Sequence, residues 1–171
     1  MGKALTVFYS RKGENYFPEG IRSVEKGNTA YAAEHIHGAV GGDLFEIDTV
    51  KPYADNYRAC CMEAVAERKA NARPAIKDFV ADISGYDTIF VCYPCWCGTA
   101  PMCVFTFLEH YDLTGKKIVP LCTNEGSGLG DSVEHIRSSC KGAQVAAGLS
   151  IPGHKCAQSA EEIGAWAKEN L

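Results

Sequence analysis

Three short stretches of this chain carry residue types suited to holding a ligand. Ser10 and Arg11 close an apolar run, and Gly27-Asn28-Thr29-Ala30 opens a segment of helical spacing. Hydroxyls, an amide, a guanidinium and the unpaired backbone N–H groups of a helix start suit a phosphate monoester. The positive end of the helix dipole offsets its charge without a buried cation. Asn28 or Thr29 serves equally as a plain N-cap. The second stretch, Pro94-Cys95-Trp96-Cys97-Gly98-Thr99, sets an indole beside a glycine. An exposed tryptophan is costly, so Trp96 either folds back on the core or stacks on a flat heteroaromatic ring whose polar edge meets backbone groups. The third, Thr123-Asn124-Glu125-Gly126-Ser127-Gly128 with Leu129-Gly130 after it, permits close backbone approach. It reads as the opposite wall of such a ring or as a flexible connector.

Other reactive residues form no such group. Cys92-x-x-Cys95-x-Cys97 offers thiolates, but Cys92 falls inside an apolar run, neighbouring positions alternate faces, and no fourth ligand follows closely. His35, His37, His110, His135 and His154 form no i, i+4 pair. No metal is expected, and no acid, base or nucleophile constellation marks a catalytic side chain around the three loops.

Positioning these loops requires alternating strands and helices. Lys3 to Tyr9 is a β-rich run, Asn28 to Val40 a helix, and Asp43 to Ile47 a second strand. Tyr57 to Asn71 reads as a helix, Asp87 to Tyr93 as a buried strand, and Met102 to Tyr111 as an apolar helix. Lys116 to Cys122 is a strand, Asp131 to Cys140 a helix, Gln144 to Ile151 the last strand, and Ala157 to Glu169 the terminal helix. Short apolar strands alternating with helices imply a parallel sheet covered on both faces. In such a sheet ligands gather at the carboxyl ends of the strands, where all three stretches fall. Two features resist the pattern. Ser10 to Lys26 is a 17-residue connection where about two to six is usual, which marks it as a functional ordered loop. Pro120 lies in a strand and removes a ladder donor, so a bulge or an edge position is expected there.

At 171 residues, 46% hydrophobic and 22% charged, the chain is expected to be one domain, 1–171, with a sizeable core. A net charge of -4 suits neither nucleic acid nor an anionic membrane. Nine cysteines, several in apolar runs, read as reduced thiols in a cytoplasmic protein. No segment reaches the ~20 apolar residues of a membrane span.

The three loops in combination resemble the flavodoxin-like family, and the resemblance extends from Lys3 to Ala167. The family's Ser/Thr-rich loop ending in Gly-Asn-Thr is similar to Ser10-Arg11-Lys12-Gly13 and Gly27-Asn28-Thr29, split here by an insertion. Tyr93-Pro94-x-Trp96-x-Gly98-Thr99 and Glu125-Gly126-Ser127-Gly128 resemble a subgroup in which both loops frame the isoalloxazine of FMN. The resemblance implies a three-layer α/β sandwich with a five-stranded parallel sheet of order 2-1-3-4-5 and helices on both faces. It also implies noncovalent FMN, with Trp96 near the ring and Gly98 supplying a peptide that can reorient toward flavin N5 on reduction. Tyr9-Ser10 in place of an acidic pair speaks against a receiver domain, and no cysteine has an arginine six residues on, as a small tyrosine phosphatase requires. Gly126-Ser127-Gly128-Leu129-Gly130 is neither G-x-G-x-x-G nor G-x-S-x-G. Two functions remain open: electron transfer with a redox partner protein, or NAD(P)H-dependent reduction of quinones or other small-molecule acceptors. In the second, Tyr16 and Phe17 of the insertion are candidates to line a substrate pocket.

Overall fold

The computed structural model describes residues 2–171, so Met1 of the expected 1–171 domain lies outside the described residues. The elements run β1 (Lys3–Phe8), β2 (Gly13–Phe17), β3 (Gly20–Val24), α1 (Asn28–Val40), β4 (Asp43–Glu46), α2 (Tyr57–Lys69), β5 (Tyr86–Pro94) and α3 (Met102–Leu108). There follow β6 (Lys117–Asn124), α4 (Ser132–Ser139), β7 (Gln144–Val145), β8 (Leu149–Pro152), a 3-10 segment (Gly153–Gln158) and α5 (Ala160–Glu169). The main sheet has the order β4-β1-β5-β6, with β7 and β8 both paired to β6, and all its pairings are parallel.

That order differs in detail from the expected five strands. The expected last strand, Gln144 to Ile151, is broken into β7 and β8, which makes six. The break explains Pro120. The Ile118 carbonyl accepts from the Ala146 amide at 2.9 Å, so the backbone groups of that row of β6 point toward the last strand. Pro120 is next in the row, and its missing donor faces residues 146–148, the gap between β7 and β8. Neither a bulge nor an edge position is needed. The terminal helix also starts later than expected, at Ala160, because residues 153–158 form the tighter 3-10 segment.

Strand alternation divides the core into two layers. Leu5, Val7, Ile89, Val91, Tyr93, Ile118 and Cys122 pack under α3 and α4, on Val104, Phe107, Leu108 and Ile136. Ala4, Phe8, Phe90, Cys92, Val119 and Leu121 meet Ala32, Ala33 and Ile36 of α1 and Ile163 and Ala167 of α5. Helix α1 is held by one buried stripe, Thr29, Ala32, Ala33 and Ile36, at the spacing of a single helical face.

The 17-residue connection is not a plain loop. Residues 13–24 form an antiparallel hairpin, β2 with β3, in a separate two-stranded sheet. Phe17 anchors it at 2% exposure, with the Arg22 guanidinium 3.9 Å from its ring centroid. The hairpin lies against the start of α2, where the Tyr57 N–H donates to Glu14 Oε2 at 2.7 Å.

Candidate functional site

The carboxyl ends of β1, β5 and β6 open on a cavity of about 260 Å³. Arg11, Asn28, Thr29, Pro94, Cys95, Trp96, Thr123, Glu125 and Ser127 of the sequence-derived set line it, and Asn15, Tyr16, Tyr57, Asn124 and Gly153 join them.

At one end is the start of α1. Gly27 takes the N-cap position and offers no side-chain cap, so neither Asn28 nor Thr29 is the N-cap that the residue types alone allowed. The amides of Asn28 and Thr29 precede the first intrahelical bond. The Ala30 N–H donates to Ser10 Oγ at 3.1 Å, which clamps the end of β1 onto the helix start. A Cβ on Gly27 would come within 2.2 Å of Ser10 Oγ and 2.4 Å of the Arg11 carbonyl oxygen. Thr29 Oγ1 and Thr123 Oγ1 share a buried hydrogen bond of 2.8 Å that joins α1 to the end of β6. Ser10, Gly27 and Ala30 of the expected phosphate site line not this cavity but a neighbouring cleft of about 610 Å³, because they sit on the far side of the β1–α1 clamp. Arg11 serves the scaffold: its Nε donates to the Glu14 carbonyl (2.8 Å), and its Nη2 to the carbonyls of Ala54 (2.9 Å) and Asp55 (2.8 Å).

Trp96 packs back on its neighbours without leaving the cavity. Its ring is held edge-on by Tyr9 (centroids 5.2 Å, 78°) and Tyr53 (4.9 Å, 84°), yet it still walls the cavity. Trp96 and Thr99 exchange backbone hydrogen bonds of 2.8 and 3.1 Å across Cys97 (φ 53°) and Gly98 (φ 77°). Positive φ at both central positions defines a type I′ turn, which aims Cys97 outward and leaves Cys97, Gly98 and Thr99 off the cavity wall. The Gly98 carbonyl accepts from the Asp131 N–H at 2.7 Å. Reorienting that peptide therefore requires breaking its tie to α4.

The loop after β6 is built rather than slack. Asn124 Oδ1 accepts from the N–H groups of Gly126 and Gly128, both at 3.0 Å. Glu125 accepts from the His154 N–H (2.8 Å) and bonds its ring Nδ1 (2.6 Å), which binds the loop to the 3-10 segment. A Cβ on Gly153 would sit 2.7 Å from Asn28 Nδ2 and 3.0 Å from Glu125 Oε1. Gly126 and Gly128 shape the turn without lining the cavity. Gly130 packs against the preceding turn, where a Cβ would come within 2.2 Å of the Gly98 carbonyl oxygen.

Cys95 projects from the end of β5 into this wall. The Cys122 thiol, the Ser127 hydroxyl and the Gly98 N–H, with the charge of Arg68, hold the Cys95 thiol down to about 6 against its desolvation. The same contact and burial push Cys122 up. Cys92 packs on the α1 face and Cys95 beside the α3 face. Among the described residues no group of three or more His, Cys, Asp or Glu is placed to hold a metal, and no helix is long and apolar enough to cross a membrane.

Sequence reasoning missed Asn15, Asn124, Tyr57 and Gly153 as wall residues. Asn124 lay within the third loop without being singled out, and Tyr57 and Gly153 reach the cavity from elements that carry no ligand-type motif.

Helix-start amides, an indole wall and a cavity at the carboxyl edge of a parallel sheet define an open α/β domain. A family model described as Flavodoxin matches residues 22–170, and the chain belongs to that family. It is similar to the solved structure of a candidate flavoprotein from Bacteroides eggerthii, with 29% identity, a TM-score of 0.73 and coverage of 99% of this chain and 98% of that one. A candidate flavoprotein from Bacteroides uniformis shares 26% identity, with a TM-score of 0.79 and 98% coverage of both. A flavoprotein from Lactobacillus acidophilus, solved in complex with FMN, has the same fold at 19% identity, with a TM-score of 0.65 and coverage of 92% and 98%. No curated protein matches the chain.

Proposed function

We propose that this chain binds FMN noncovalently in the 260 Å³ cavity and works in electron transfer. The observation that carries the reading is convergence: the start of α1 at Asn28 and Thr29, clamped by Ser10, on one side and Trp96 on another, with Gly153 in the wall where a Cβ would meet Asn28 and Glu125. The residues present fit the group. Ser10, Asn28 and Thr29 would hold the phosphate, and Pro94 to Trp96 with Thr123 to Ser127 would flank the ring. Membership of the flavodoxin family and the likeness to candidate flavoproteins support the choice of FMN over other planar phosphates. FMN when bound supplies reversible one- and two-electron chemistry. The chain's own part is to grip, orient and shield. The electrons would pass to a redox partner protein or a small-molecule acceptor in the cytoplasm.

Titrating flavin-free protein with FMN tests this through quenching of flavin fluorescence. Saturable one-to-one binding is expected, weakened about tenfold or more in Trp96→Ala. A protein that neither quenches nor retains flavin would end the proposal.

A second reading, an NAD(P)H-dependent reductase of small acceptors, is favoured by one feature. The inserted hairpin brings Tyr16 to the cavity half-exposed, where a carrier that docks to a partner protein through an acidic face would need no aromatic. NAD(P)H oxidation by the FMN-loaded protein with a quinone acceptor separates the two readings.

A further inference from the structure

We infer that the inserted hairpin provides a second binding wall, Tyr16 stacked on Tyr57, that takes a planar quinoid ring beside the flavin. The inference rests on the FMN reading for its place in the cavity but concerns binding alone.

Four observations carry it. Tyr16 is 49% exposed, and among the described residues no other Phe, Tyr or Trp falls in the exposed class. That open ring is spent at the cavity rather than elsewhere on the surface, since both Tyr16 and Tyr57 line it together with Trp96. The pair is preorganised: the rings stack with centroids 6.3 Å apart and planes 28° from parallel. Tyr57 is fixed at its backbone N–H by Glu14. Finally, Asn15 and Arg11, which line the cavity with the pair, are largely committed to backbone carbonyls. Asn15 Nδ2 donates to the carbonyls of Arg11 (2.7 Å) and Gly13 (3.4 Å), and Arg11 Nε and Nη2 are held by three backbone carbonyls.

The wall therefore offers a flat, electron-rich face and few unspent donors. Such a surface selects its ligand by shape and by ring electrostatics, because the negative face of a tyrosine ring attracts an electron-poor plane. An oxidised quinone has that character. A compact charged acceptor does not, and gains nothing from the pair. The loop Thr123 to Gly128 carries no aromatic residue, so of the other lining loops only Pro94 to Thr99, through Trp96, adds an aromatic face.

The probe is 2,3-dimethyl-1,4-naphthoquinone, whose blocked ring positions spare cysteine thiols, titrated into oxidised FMN-loaded protein without reductant and followed by calorimetry. Tyr16→Ala is expected to raise its Kd about five- to tenfold, and Tyr16→Phe to leave it within about twofold. Ile21→Ala, opposite Tyr16 on the hairpin, serves as the control and is expected to change nothing. FMN affinity is expected to stay within about twofold in Tyr16→Phe and Ile21→Ala, and to fall less than quinone affinity in Tyr16→Ala. An unchanged quinone Kd in Tyr16→Ala overturns the inference. So does a loss of FMN affinity with quinone binding intact, which would make Tyr16 a flavin contact. Should wild-type protein take up no FMN, that alone refutes the FMN reading. The same titration on flavin-free protein then decides the wall by whether wild type still binds more tightly than Tyr16→Ala.

Discussion

Gly27 shows how one residue type sets a site. It occupies the N-cap, where serine, threonine, asparagine or aspartate usually sits, because the end of β1 crosses too close for any side chain. The Ser10 hydroxyl then does the capping from another segment. Gly27→Ala is expected to push Ser10 off the helix start, costing about 1–3 kcal/mol of stability and at least about tenfold in FMN affinity. Chemical denaturation and flavin titration check the two effects separately. A variant that loses stability with FMN affinity intact would show that the clamp is structural only. Trp96 was legible as a wall residue from its type, and Glu125 only as part of the glycine-bearing third loop. Their restraints were not, since Tyr9, Tyr53 and His154 come from distant parts of the chain.

At the scale of elements, the departures occur where local pattern is weakest. The hairpin at 13–24 alternates poorly: only Phe17 is buried, so a period-2 signal could not declare it. Its stability comes from tertiary ties, chiefly Glu14 on the first amide of α2 and Arg11 on the carbonyls of Ala54 and Asp55. Glu14→Ala removes a partner from that helix start, and a loss of about 0.5–2 kcal/mol is expected. Calorimetry reads it as a lower melting temperature, and limited proteolysis as faster cleavage near the hairpin turn at Pro18-Glu19. The break between β7 and β8 was equally hidden, because residues 144–151 are apolar enough to read as continuous. The proline that occupies the facing position of β6 was visible, but its consequence was not.

Across the whole molecule, stability resides in the two layers that sandwich the sheet. Phe90, fully buried at 0% exposure under α1 and α5, belongs to neither the cavity nor its loops. Phe90→Ala is expected to cost about 3–5 kcal/mol and to lower the melting temperature by roughly 10 °C. Val50→Ala, at a side chain 58% exposed, is expected to stay within about 0.5 kcal/mol. A matching pair of melts would contradict this layered account. Buried polar contacts tie the layers to the site: the Tyr93 hydroxyl donates to Ser132 Oγ at 2.8 Å, joining β5 to α4 beneath the turn at Cys97-Gly98.

The alternation of apolar runs with helical spacing was enough to establish a parallel sheet with helices on both faces, and ligand-type residues after β1, β5 and β6 were enough to place the site at its carboxyl edge. Both are properties of local chemistry: burial periodicity and side-chain type are written residue by residue. The tertiary structure alone decided that Arg11, while lining the cavity, is tied by Nε and Nη2 to backbone carbonyls, and that Cys97 to Thr99 turn away from the cavity. It also brought Asn15, Tyr57 and Gly153 to the wall. Those outcomes depend on which distant groups lie within hydrogen-bond or van der Waals reach, and such proximity is created only when the sheet closes its register and the layers pack.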